Sequence, residues 1–251
     1  MPTFSSPLFA PTVTAYWQFC FTGDVLYHNT DFTIVIRPEL DVDTRVMMLR
    51  TADGRVRAAL TPDLADRARL SERTTLSEPE FRQALAAGGI TLNGADHVFY
   101  FESGDRDSLT DDGPDVRRLT DRDSAVFAEF ESGASAEDLD AAYVELDHWA
   151  VFGAFERQRL VCAASAYPWG GPPLADLGVL TLPSFRGNGH ARNVVRALSR
   201  YAYEQGYEPQ YRCQVDNHAS VALARALGLQ LFGTWEVIAE DCPVGMEPAQ
   251  G

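Results

Sequence analysis

The stretch from Leu177 to Gly206 constrains this chain most, because strand, turn and helix follow one another there without a gap. Leu177-Gly-Val-Leu-Thr-Leu182 is an apolar, strand-like run ended by Pro183. Arg186-Gly-Asn-Gly189 supplies a glycine-rich turn. From there Ala191, Val194, Val195, Leu198, Tyr201 and Ala202 recur at helical spacing, and Gly206 stops the helix. Such a junction binds an anion. The first amides of a helix lack intrahelical acceptors and carry the positive end of the helix dipole. Glycines let those amides approach an oxyanion without a Cβ in the way.

Two nucleotide-binding loops compete for this turn. A dinucleotide fingerprint needs a third glycine, but Arg192 stands at that position and the surrounding elements come in the wrong order. A Walker loop needs a lysine, and the 251 residues contain none; all 21 basic residues are arginine. Drift in a GC-rich genome explains that bias more simply than avoidance of self-acylation. A purely structural strand-turn-helix remains the third reading.

Composition narrows the partners. The net charge of -15 disfavours nucleic acid and anionic membrane, and mildly favours cationic substrates, although an acidic soluble surface accounts for it more simply. Cys20, Cys162, Cys213 and Cys242 form no CxxC pair, and no histidine cluster has metal-ligand spacing, so no metal is expected and the thiols read as reduced. No apolar run reaches the ~18 residues of a membrane span. Met1 to Pro11 lacks the build of a secretory signal, and a cytoplasmic location is the expectation.

Along the chain, residues 1 to about 30 are aromatic and mixed, and Tyr16, Trp17, Phe19, Phe21 and Tyr27 read as core or interface. Strand-like alternation covers Asp31–Arg37, Val46–Leu49 and Arg55–Leu60; Pro62–Leu70 looks helical, and Ser77-Glu-Pro-Glu80 caps a further helix that Gly88-Gly89 terminates. His97–Phe101 reads as a strand. Glu102–Asp115 is acidic, contains Gly and Pro, and is the expected linker, with a boundary near Gly113 between segments 1–112 and 113–251. Beyond it come a short strand Val116–Leu119, helices capped by Thr120 and Ser135, a hairpin of Trp149–Glu156 and Leu160–Tyr167, and the central strand Leu174–Leu182. Tyr211, Cys213 and Val215 alternate on the next strand. Asn217 caps a helix that ends at Gly228, and Leu229–Ile238 is a final strand.

Two of these segments carry a family resemblance. Val179-Leu-Thr-Leu-Pro-Ser-Phe-Arg186-Gly187-Asn-Gly189-His-Ala191 is similar to the coenzyme A motif of the GNAT superfamily of acyl-CoA-dependent N-acetyltransferases, in its Arg-Gly-x-Gly-x-Ala form. Asn217-His-Ala-Ser220, running on to Leu227-Gly228-Leu229, resembles the helix that follows the family's fifth strand. Order and separation fit as well, and the resemblance covers about residues 116–238.

The resemblance implies an α/β (α+β) fold, with a mixed, largely antiparallel central sheet flanked by helices. The N-terminal α/β segment would be an additional domain, read as a diverged copy of the same fold, a cover for the acceptor cleft or a homodimer face. Acetyl-CoA would be the cosubstrate. Its pyrophosphate would meet the backbone amides of Gly187, Asn188, Gly189, His190 and Ala191, with added charge from Arg186. Its pantetheine arm would run along Val179, Leu180 and Thr181 in a gap before the next strand, with Asn217 and Ser220 beside its acyl end. Helix capping alone is the other reading of Asn217. The amide of Val179 would stabilise the oxyanion.

The catalytic residues follow less directly. Asp176 is the expected base, at the start of the central strand, with Glu145, Asp147 and His148 as a second cluster on the acceptor side. The family's usual acid is a tyrosine seven positions past the Asn, but here Ala224 occupies that place. Water, Ser220, Tyr203 or Tyr207 would have to serve. The function implied is transfer of an acetyl group to a primary amine of a small molecule. The alternatives are an acyl-CoA-binding module without turnover, and acetylation of a protein amine.

Overall fold

The computed structural model describes residues 8–73, 75–104, 109, 113, 115–242 and 244. The chain starts with helix α1 (Pro11–Cys20), strands β1 (Asp24–His28), β2 (Phe32–Ile36), β3 (Val46–Thr51) and β4 (Val56–Leu60), helices α2 (Pro62–Arg67) and α3 (Glu78–Ala87), and strand β5 (Asp96–Tyr100). It continues with β6 (Val116–Arg118), α4 (Ser124–Ser132), α5 (Ala136–Ala142), β7 (Ala150–Glu156), β8 (Arg159–Pro168) and β9 (Leu174–Thr181). Then come α6 (His190–Glu204), β10 (Glu208–Gln214), α7 (His218–Leu227) and β11 (Gln230–Val237).

Among the described residues all eleven strands join one sheet, in the order β1-β2-β4-β3-β11-β5-β10-β9-β8-β7-β6. Only β2/β4 and β9/β10 pair in parallel, so the sheet is mixed and largely antiparallel, as the resemblance implies. The two-residue period of the strands sorts their side chains onto two faces. Along β2, Phe32 and Ile34 pack with Leu64 of α2 and Phe81 of α3, whereas Val35 turns to the cluster that holds Val13 and Trp17 of α1. In the second half, Ala164, Leu177 and Tyr211 face Val194 and Leu198 of α6 and Ala224 of α7. Ala163 and Leu180 face Phe127 and Phe130 of α4.

Local signals act as read. Ser77 and Glu80 form a reciprocal capping box at α3, with the Ser77 amide donating to Glu80 at 2.8 Å. The β7/β8 hairpin turns at Arg157 and Gln158, both with positive φ (47° and 70°), which matches strand twist although neither residue is glycine.

Other features differ from the sequence reading. Residues 11–20 form a helix, with Val13, Trp17 and Cys20 buried on one side. Its N-cap, Ala10, makes no side-chain cap bond, so the start carries no capping signal beyond Pro11. Trp17 and Phe21 are core residues, while Phe19 is 65% exposed beneath the Arg37 guanidinium. Strand β1 follows as the hairpin partner of β2. The expected linker 102–115 lies largely outside the described residues. No helix among the described residues is long and apolar enough to cross a membrane.

The two halves are interleaved. Strand β5, from before the expected linker, lies between β10 and β11 and pairs antiparallel with both. Strand β11, from the end of the chain, in turn pairs with β3. A chain beginning at Gly113 would lack β5 and expose the unpaired edges of β10 and β11. We expect it to lose the cooperative thermal transition of the full-length protein; a sharp transition by circular dichroism in the shortened chain would contradict this.

Candidate active site

The site is built where β9 and β10 part. They pair in parallel from Leu174/Glu208 to Leu177/Tyr211, and there the ladder stops. Beyond it β9 stays paired with β8 through Gly178–Thr181, while β10 stays paired with β5 through Gln214. The facing edges of the two strands are left free of each other. Two cavities open there, of about 690 Å³ and about 400 Å³. Both are bordered by Ala141, Ala142, Val179, Tyr211, Asn217 and Ser220, so the two cavities adjoin there.

The larger cavity runs over the glycine turn to the start of α6. Gly187 and Gly189 have φ of +81° and +84°, the left-handed conformation that side chains disfavour, and residues 185–192 border the cavity. The amides of residues 187–192 have no hydrogen-bond acceptor among the described residues. Two side chains anchor the turn. His190 reaches Glu156 at 2.7 Å, and Arg186 bonds the Thr181 carbonyl at 3.1 Å and Asp138 of α5 at 2.9 Å. The end of α5 lies directly on β9: a Cβ at Gly178 would come within 2.2 Å of the Ala142 carbonyl oxygen. The larger cavity thus has α5 on one side of the sheet and α7 on the other.

At the junction, Asn217 accepts a 3.0 Å bond from the Ser220 amide, which caps α7. Ser220 and Tyr211 both border the two cavities. Burial pushes the Tyr211 hydroxyl well above the usual tyrosine value. Tyr211 therefore keeps its proton at neutral pH.

The smaller cavity has an ion pair in its wall. Both carboxylate oxygens of Asp176 accept from Arg212, at 2.7 Å in the shortest contact. Gln210 donates to Asp176 at 2.9 Å and the Tyr167 hydroxyl at 3.1 Å. Arg212 lies against the rings of Trp169 and Trp235. Burial, with Asp176 close by, pushes the Tyr167 hydroxyl up to about 12.

Several expected roles need correction. Asp176 is only 5% exposed and accepts from three side chains, so it is a member of a structural ion pair and not an open base. His148 does not border either cavity. It sits between the rings of Tyr143 and Tyr167, with Nδ1 2.8 Å from the Ser165 hydroxyl and Nε2 3.6 Å from Glu145. Tyr203 and Tyr207 pack against Phe101 and Trp149, away from the fork. Ala224 is fully buried between α7 and the sheet. Val179, Leu180, Thr181, Arg186–Ala191, Asn217 and Ser220, by contrast, all border the larger cavity. Tyr211, Tyr143, Asp96 and Asp140 were not singled out in the sequence. Only the alternation along β10 pointed toward Tyr211, and nothing local distinguished it from a core residue.

Residues 118–229 match the model of the Acetyltransferase (GNAT) family. Among solved structures, an acetyltransferase of that family from Colwellia psychrerythraea superposes with a TM-score of 0.50 at 19% identity, over 72% of this chain and 75% of its own. A GCN5-related N-acetyltransferase-like protein from Streptococcus suis gives a TM-score of 0.45 at 17% identity, over 65% and 69% of the two chains. An aminoglycoside N-acetyltransferase in complex with coenzyme A gives 0.38 at 23% identity, over 47% and 92%. At 19% identity the likeness to the Colwellia psychrerythraea protein is one of fold. No curated protein matches the chain in sequence.

The ion pair makes its own prediction. Asp176→Asn would remove the nearer counter-ion of the Arg212 guanidinium and leave it only Asp96 at 3.5 Å, at a cost of about 3 kcal/mol. Urea denaturation should show that loss; an unchanged midpoint would return Asp176 to the list of free carboxylates.

Proposed function

Since residues 118–229 match the model of the Acetyltransferase (GNAT) family, we propose that this protein transfers an acetyl group from acetyl-CoA to a primary amine of a small molecule. Both substrates would be bound at once, with no covalent enzyme intermediate. The observation that carries this reading is the pair of adjoining cavities at the fork: one lies over unengaged loop amides, the other is smaller, and Tyr211 borders both.

In this reading the pyrophosphate rests on the amides of residues 187–192, where the start of α6 adds its dipole. The pantetheine lies along the free edge of Val179–Thr181 as an added strand would. The thioester then reaches the place where the cavities adjoin, within range of the Val179 amide as oxyanion donor. The amine enters through the smaller cavity, and its nitrogen attacks the thioester carbonyl. The carbon–nitrogen bond forms, the carbon–sulfur bond breaks, and the amine loses a proton to solvent through that cavity.

Tyr211 is the proton donor for the departing thiolate. Its hydroxyl is protonated at neutral pH, it borders both cavities, and after giving its proton to the thiolate it takes one back from solvent through the smaller cavity. It would replace an acid at position 224, where the alanine is buried and borders neither cavity. Asp176 and Arg212 are positioning residues that fix Tyr167 and the mouth of the fork. The burial of Ala224 also favours a second reading, acyl-CoA binding without turnover.

Calorimetric titration with acetyl-CoA and thiol release over a panel of amines separate the two. Binding with turnover supports transfer, binding without turnover on any amine supports the second reading, and no binding removes both. Gly189→Val forces a branched residue into a left-handed conformation, although nothing lies within 4 Å of its Cβ. The strain should raise the Kd for acetyl-CoA about tenfold; an unchanged Kd would make the loop structural only. Tyr211→Phe should lower kcat about a hundredfold while the Kd for acetyl-CoA stays within about twofold. A variant as fast as the wild type would remove Tyr211 as the acid.

A further inference from the structure

Away from the cleft, one buried charge has no carboxylate beside it among the described residues. Arg45 precedes β3 and is only 7% exposed. Its Nε and Nη1 have no hydrogen-bond partner, and it forms no ion pair with a carboxylate among the described residues. The third nitrogen, Nη2, reaches the Cys242 carbonyl at 3.5 Å. A guanidinium keeps its charge at physiological pH, so such burial is costly unless an anion stands nearby. The segment after β11 can bring one. Ile238 donates to Val46 and Ala239 to Thr91, each at 2.9 Å, and this carries the chain on to Cys242 beside Arg45.

The four cysteines then separate. All are buried and free. Burial pushes the Cys20 thiol up, and takes those of Cys162 and Cys213 up to about 12. Burial opposes the Cys242 thiolate as well, but hydrogen bonding by Thr91 and Val244 and the Arg45 charge outweigh it and pull that thiol below its ordinary value. Its own bond, to the Gly89 carbonyl, is long at 3.6 Å. Cys242 has no exposed surface, yet Glu240 and Asp241 just before it are exposed, so it lies at the rim of its cluster.

We infer that Cys242 is a site of reversible oxidation, at which hydrogen peroxide converts the thiol to a sulfenic acid that Arg45 holds. The sulfur attacks one peroxide oxygen; the sulfur–oxygen bond forms and the oxygen–oxygen bond breaks. Sulfur gives up two electrons, and the departing hydroxide takes the thiol proton and leaves as water. The new oxygen is a stronger acceptor than sulfur, and Nε and Nη1 of Arg45 are the donors at hand. No internal disulfide follows, because Cys20, Cys162 and Cys213 belong to other hydrophobic clusters. A small external thiol would reverse the step. Arg45 and Cys242 stand 197 residues apart, so the site exists only once the end of the chain docks on the N-terminal half.

The test treats the reduced full-length protein with hydrogen peroxide in the presence of dimedone and maps the adducts by mass spectrometry. Cys242 should be labelled at least about tenfold faster than Cys20, Cys162 or Cys213. Arg45→Gln should slow the labelling of Cys242 about tenfold, and Arg45→Lys, which keeps a positive charge, should slow it less. The thermal transition of each variant is the control for folding. Label that reaches Cys242 only after unfolding in urea, or label spread evenly over the four cysteines, would overturn the inference. An unchanged rate in a folded Arg45→Gln variant would do the same. Should Arg45→Gln fail to fold, the order of labelling in the wild-type protein still decides.

Discussion

The ion pair between Asp176 and Arg212 holds the point at which the sheet divides. Arg212 is the first residue of β10 past the last rung with β9, and its guanidinium reaches back to Asp176 within the paired region. Two charges this deep are stable only with good geometry and with their remaining valences satisfied. Gln210, Tyr167 and the faces of Trp169 and Trp235 meet that requirement. The network continues inward: Gln210 accepts from Tyr100, and Tyr100 accepts from Trp17 of α1 at 2.8 Å. One chain of hydrogen bonds therefore joins the first helix to the mouth of the cleft.

An open edge inside a sheet is costly unless each strand keeps another partner. Here β8 holds β9 and β5 holds β10, so a gap can exist without dissolving the sheet. The partner of β10 comes from the N-terminal half, and that same strand brings Asp96 to the cavity wall. The N-terminal half thus completes the sheet and lines part of the site. Its hydrophobic clusters with α1, α2 and α3 are what keep β5 in place between β10 and β11.

Much of the second half was legible because its signals are local. The turn at Arg186–Gly189, the cap at Asn217 and the stop at Gly228 each depend on a few neighbouring residues, and each takes the geometry its chemistry demands. The hairpin of β7 and β8 followed from alternation and length. Helix α1 was not legible, because its aromatic residues dominate the pattern and its start has no side-chain cap. Asp176 shows the opposite failure. Position in the chain marked it as a cleft carboxylate, but its partners Gln210, Arg212 and Tyr167 lie on two other strands, and register alone brings them within bonding distance.

By itself the sequence determined the glycine turn before α6 and the helices on either side of the cleft, because helix starts, glycine turns and side-chain periodicity are properties of short segments, and the class of fold followed from the family resemblance of two such segments. It also determined that no tyrosine stands at position 224. Only the tertiary structure decided that β5 lies between β10 and β11, that Asp176 is bound to Arg212, and that Tyr211 stands where the two cavities meet. These facts depend on which strand edges pair and in what register. A shift of one residue along β10 would turn Tyr211 to the other face of the sheet, and no short stretch of sequence carries that information.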